Sequence, residues 1–210
     1  VPLWSWFLHE NLHNQGLLGH APNQGSPMGI MTNQWGVRLP LQTWDSVILD
    51  WQIPTDIYCV KRESITRSEI TMSPLEREEI GTKAIMIRLS EYEVLVIESR
   101  RDDKWVNTLK SINGKSPTLN GLVTYKVDVS KSEPYGVVEP DGSNWKDTST
   151  SFAYYLRNNN GNKGYSKFNG TDPFDLNFVL YQGESLSYRG LRITLKISNS
   201  HDTVLIEKIN

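Results

Sequence analysis

Pro54 divides the chain into two textures, and that change limits the folds open to it. Ahead of it, two stretches read as helices. Residues 3–15 predict one, with Pro2 suited to a first helical turn and Gly16 to the position just past a helix end. The apolar start of this helix, Leu3-Trp4 and Trp6-Phe7-Leu8, is expected to be buried. Residues 41–49 predict a shorter helix ending near Asp50-Trp51 and closed by Pro54. The 19–40 interval is rich in Gly, Pro, Asn and Gln and reads as loop. Beyond Pro54 the pattern turns to strands, expected at 55–60, 66–72, 83–89, 93–98, 121–129, 174–181, 191–197 and 204–209. Residues 74–79 predict a turn or a single helical turn, and 141–170 long surface loops. Asn113-Gly114, Asn120-Gly121, Asn160-Gly161 and Asn169-Gly170 supply turn dipeptides, because Asn and Gly tolerate positive φ. The expected fold is therefore α+β, with a helix-and-loop segment at 1–54 and a mainly antiparallel β sandwich or barrel at 55–210.

Composition narrows the function classes. Hydrophobic residues are 38% and charged residues 22%, which argues against wholesale disorder. A balance of 22 basic against 24 acidic residues gives no bulk charge for gripping nucleic acid or an anionic membrane. No apolar run approaches the ~20 residues of a membrane-spanning helix. The single cysteine, Cys59, excludes an internal disulfide and a Cys-based zinc site, and is expected to be buried.

Three of the four histidines fall within the first twenty positions: His9, His13 and His20. His9-Glu10-Asn11-Leu12-His13 is an H-E-x-x-H motif. On a helix, residues i and i+4 share one face, so both imidazoles can reach a single Zn²⁺. Glu10 stands beside them, where it can take a proton from an attacking water and carry it to the leaving amine. A catalytic zinc takes three protein ligands as a rule. His20 is the natural third, with Asp45 or a residue elsewhere, including chain upstream of Val1, as alternatives. Gly16, three residues after His13, is where a metzincin helix breaks and the chain turns back toward the metal. Met31 fits a methionine turn beneath such a site, with Met28 as its alternative; its role there is packing.

These strings resemble the metallopeptidases of the immune inhibitor A type. His9 to His20 is similar to the family's zinc helix and glycine break, Ile30 to Gly36 to its methionine turn, and Thr43 to Trp51 to the helix that follows. Tyr92 to Arg101 and Gly121 to Asp128 resemble two of its strands. The resemblance implies that 1–54 is the end of a metzincin-like catalytic domain in a secreted zinc endopeptidase, often calcium-stabilised, acting on proteins or peptides. It implies zinc ligation by His9 and His13 and a general-base role for Glu10. The chain departs from the family pattern where "G-L-P-D" is replaced by Gly16-Leu17-Leu18-Gly19, with His20 one residue after the position of the usual third ligand. It also starts close to the zinc helix, without the sheet that precedes it in the family, and is expected to be a piece of a longer protein. The rival reading is a non-catalytic β-rich adhesion or sugar-binding module with a remnant zinc segment.

Other signals are weaker. Trp4, Trp6, Trp35, Trp44 and Trp51 crowd the zinc segment and are expected in core or cleft packing, leaving Trp105 and Trp145 for surface contact. Asp141 to Asp147 and Thr171 to Asp175 offer oxygen ligands for Ca²⁺. Glu98, Arg100 and Arg101 with Asp102-Asp103 read as a strand end running into a solvated turn, and His201 as a surface residue.

Overall fold

A computed structural model of the chain describes residues 3–17, 30–31, 41–101, 120–130, 153–155 and 179–209. Two helices open it, α1 (Leu3–Asn14) and α2 (Thr43–Ile48). Ten strands follow: β1 (Ile57–Lys61), β2 (Arg67–Met72), β3 (Ala84–Arg88), β4 (Glu93–Arg100), β5 (Gly121–Asp128), β6 (Ala153–Tyr155), β7 (Val179–Leu180), β8 (Ser185–Tyr188), β9 (Leu191–Ser198) and β10 (Asp202–Lys208).

The strands form two sheets that do not close into a barrel. One runs β1-β3-β4-β5-β6, with β7 also paired to β5; the other runs β2-β10-β9-β8. Among the described residues every pairing is antiparallel except β1 with β3. That exception follows from the route of the chain, which leaves β1, contributes β2 to the other sheet and returns as β3. The sheets meet through one apolar core. Ile85, Ile87, Leu95 and Ile97 come from the larger sheet, and Leu191, Ile193, Val204 and Ile206 from the smaller. The outer face of the larger sheet carries Met86, Val96, Val123, Tyr125 and Val127, and Trp44 and Val47 of α2 pack against it.

Several sequence expectations need correction. β6 lies inside the interval expected to be loop, and β8 was not foreseen. Gly121 begins a strand and makes no turn. A Cβ there would stand 2.3 Å from the Leu180 carbonyl oxygen, so the close approach of β7 is what requires glycine. Cys59 is exposed, because β1 is an edge strand of its sheet. Leu3, Trp4, Trp6, Phe7 and Leu8 are also exposed, Leu3 by 68%. They surround the helix on several sides, whereas its small partner cluster covers one stripe only.

The largest correction concerns charge. Glu98 and Arg100 are fully buried, and Glu76 and Arg101 nearly so. On a strand, residues two apart share a face, so Glu98 and Arg100 both point to the side where α2 packs. Arg100 Nη1 donates to Glu98 at 2.9 Å and its Nε to Glu76 at 2.6 Å. Glu98 also accepts the Tyr125 hydroxyl at 2.7 Å and the Thr43 N–H of α2 at 2.6 Å. Arg101 grips Asp202 of β10 through both terminal nitrogens, at 2.5 and 3.0 Å. The network therefore joins α2, the 74–79 turn and both sheets. Burial alone would lower the Arg100 pKa, but Glu76 and Glu98 raise it above its ordinary value. Burial, reinforced by Glu98, pushes the Tyr125 phenol well above its ordinary value.

A candidate metal centre at the histidine helix

His9 and His13 lie one turn apart on α1, as the motif spacing predicts. His9 is buried and His13 half-buried. Their rings stand nearly perpendicular, with centroids 4.8 Å apart. The Nε2 atoms face each other at 3.1 Å.

The opposite edge of each ring is held by backbone. His9 Nδ1 lies 2.8 Å from the Ile30 carbonyl oxygen, and His13 Nδ1 lies 2.5 Å from that of Leu17. A carbonyl only accepts, so the proton of each neutral ring belongs on Nδ1. Both Nε2 atoms then present lone pairs to the same point. At this distance a shared proton or a cation would hold them together. Burial opposes the proton at His9, where it lowers the pKa; the Ile30 contact works against this, His13 adds to it and Glu10 opposes it. The spacing is also one that metal ligands adopt. Two nitrogens each about 2.0–2.1 Å from a tetrahedral zinc stand about 3.3–3.4 Å apart, close to the separation seen. Ligating histidines characteristically donate their other N–H to a carbonyl or carboxylate, as both rings do.

Local folding explains how the carbonyls arrive. Gly16 has φ +114°, in the region open to glycine. Gly16 N–H donates to the His13 carbonyl and Leu17 N–H to that of Leu12, both at 3.1 Å, which together make a Schellman cap. The cap folds Leu17 back onto Leu12, and its carbonyl onto His13. Ile30 and Met31 are buried in the same small cluster with Leu12 and Leu17, and Leu41 and Leu49 pack on it from either side of α2. Met31 thus packs in that cluster, and Ile30 supplies the carbonyl that holds His9.

Glu10 is half-buried on the adjoining face of α1. It borders an open groove of about 610 Å³ with Trp6, Phe7, Leu8, Asn11 and Asn14. Trp6 and Phe7 meet edge to face, with centroids 5.2 Å apart. Of the other tryptophans expected in core or cleft packing, Trp44 is half-buried against the sheet, while Trp4 and Trp51 are exposed.

Among the described residues, no third His, Cys, Asp or Glu joins the histidine pair. Asp45 is buried in the first turn of α2. His20, Met28, Trp35, Trp105, Trp145, the Asn169 turn dipeptide and the Asp141–Asp147 and Thr171–Asp175 oxygen clusters lie outside the described residues. His201 sits at the surface, 3.3 Å from Glu79. No described helix is long and apolar enough to cross a membrane.

Sequence reasoning found the histidines but missed the two carbonyls that orient them, because backbone atoms leave no letter in the sequence. Gly16 was the available signal. Compared with known proteins, the chain matches no family model, no curated protein and no solved structure, so the reading of the site rests on its own residues.

Proposed function

We propose that the chain carries the zinc site of a metal-dependent endopeptidase. The observation that carries this reading is the pair of Nε2 atoms 3.1 Å apart, each on a ring whose Nδ1 is committed to a carbonyl. His9 and His13 would hold the metal, with His20 as the third ligand. Bound zinc would lower the pKa of a coordinated water toward ~7 and polarise the scissile carbonyl.

The chain's own groups supply the rest. The Ile30 and Leu17 carbonyls fix each imidazole in its tautomer and orientation. The Glu10 carboxylate accepts the proton of the attacking water and passes it to the leaving amide nitrogen. Trp6 and Phe7 wall the groove beside Glu10, where apolar side chains of a protein or peptide substrate would lie.

Zinc titration followed by peptide hydrolysis tests the reading. The chain should take up close to one zinc, and chelators should stop turnover. Glu10→Gln should keep the metal while turnover falls by about 10²–10⁴-fold. Activity surviving that change would sink Glu10 as the base, and absence of zinc uptake would sink the whole proposal. His20→Ala should weaken zinc affinity sharply; an unchanged affinity would move the third ligand to Asp45 or elsewhere.

A further inference from the structure

The outer face of the larger sheet carries a second groove, of about 470 Å³, which the hydrolysis proposed above does not use. Met86 and Val94 form part of its lining, Trp44 of α2 contributes another part, and Tyr92 and Cys59 border it. Two cations complete it. Lys61 of β1 and Arg88 of β3 are register partners on neighbouring strands. Like charges placed opposite each other across strands are destabilising. Among the described residues neither has a carboxylate at ion-pair distance, and Arg88 gives its Nε–H to the Ser90 carbonyl at 3.0 Å. Of the acids that line the groove, Glu93 is already held by Lys126 at 2.8 Å and Arg189 at 3.3 Å. Glu91 pairs with neither cation. The groove is thus apolar along its strands, with two adjacent cations, Lys61 and Arg88, at one part of its rim, Glu91 at another and Glu63 as an electrostatic neighbour of Lys61.

We propose that this groove binds an extended acidic and apolar peptide segment. Its carboxylates would meet Lys61 and Arg88, and its apolar side chains would lie on Met86, Val94 and Trp44. Charge complementarity selects the acid. The open form selects a peptide over a lipid acid. Cys59, Arg88 and Tyr92 are exposed, so the walls do not enclose an acyl chain as a lipid site must. Among the described residues β1 also ends its sheet, giving an extended chain an edge to run along.

The test uses a fluorescein-labelled peptide alternating aspartate with leucine, its lysine–leucine counterpart, and anisotropy as the readout. The aspartate peptide should bind and the lysine peptide should not, with affinity unchanged by a chelator. Lys61→Gln and Arg88→Gln should each weaken binding by about tenfold. The same changes should leave the thermal midpoint level or raise it, because they relieve a repulsion. A residue with a purely structural role would not give that opposed pair of results. A bulky maleimide on Cys59, the one cysteine in the chain, should block binding. Equal binding of both peptides, binding that survives the maleimide, or affinity indifferent to both substitutions would overturn the proposal. Loss of binding with chelator would move the peptide to the histidine site, and displacement by decanoate would assign the groove to small amphipathic acids; either result would overturn it as well. Because the assay needs no catalysis, its failure is separable from failure of the zinc reading.

Discussion

Two buried polar clusters in this chain are built on opposite plans. Around β4, each charge meets its complement: Arg100 lies between Glu76 and Glu98, Glu98 also takes the Tyr125 hydroxyl and the Thr43 N–H, and Arg101 takes Asp202. On α1 two imidazoles instead face each other, Nε2 to Nε2 at 3.1 Å, with each Nδ1 on a backbone carbonyl. A network of paired charges satisfies itself and holds the fold, whereas two converging imidazole nitrogens are a geometry that a cation can use. The β4 cluster is accordingly read as structural, and the histidine pair and the Lys61–Arg88 pair are where the two proposals place a ligand.

The largest effect expected from this difference is at Arg100. Arg100→Met leaves Glu76 and Glu98 buried without their cation and should destabilise by about 3–5 kcal/mol in denaturant titrations. Neutralising both partners in the same background, with Glu76→Gln and Glu98→Gln, should recover part of the loss. A single change costing under about 1 kcal/mol would break the view that the network is closed and structural.

Zinc should separate the two regions next. If the histidine pair is a site, metal at 100 times its dissociation constant stabilises the chain by about 2.7 kcal/mol. His13→Leu should abolish that gain. Hydrogen exchange should slow on α1 and at Leu17 and Ile30, and stay unchanged on β4 and β5. Zinc protection confined to the strands would reverse the assignment of the two clusters.

Alkaline pH should then act on the strand cluster alone. The folded state holds Tyr125 protonated well above the ordinary value of 10.0. Above pH 10 the unfolded chain therefore binds fewer protons than the folded one, and stability falls as pH rises. The slope from this one group approaches about 1.4 kcal/mol per pH unit. Tyr125→Phe should flatten it, while lowering stability at neutral pH through the lost bonds to Glu98 and Trp44.

How much of this was legible in the sequence follows from what each letter encodes. Gly16 and Pro54 mark backbone constraints, and both ends they predicted are seen. Apolar runs such as Ala84-Ile85-Met86-Ile87 mark buried strands, and those strands formed. Charged letters encode burial only on average. Glu98 and Arg100 read as a strand end running into a solvated turn, and their burial was not legible because their partners, Glu76 and Thr43, are distant in sequence and become neighbours only in the fold. The same limit applies to α1. The i, i+4 histidines were readable, but the carbonyls of Leu17 and Ile30 were not, since their arrival depends on chain path.

The smallest effect distinguishes the two helix ends within the first segment. α1 and α2 finish with the same hydrogen-bond pattern: Trp51 N–H donates to the Ser46 carbonyl and Asp50 N–H to that of Val47, as Leu17 and Gly16 do on α1. The left-handed position is glycine at 16, with φ +114°, and aspartate at 50, with φ +56°. A side chain in that conformation costs about 1 kcal/mol relative to glycine. Gly16→Ala should therefore destabilise by about 1 kcal/mol through strain, since among the described residues nothing lies within 4 Å of the added Cβ. Asp50→Gly should gain a similar or smaller amount. Only the first substitution should weaken zinc binding, because only the α1 cap delivers a carbonyl to a histidine. Equal effects of the two on metal affinity would mean that the caps stabilise the segment generally and that Leu17 does not orient His13.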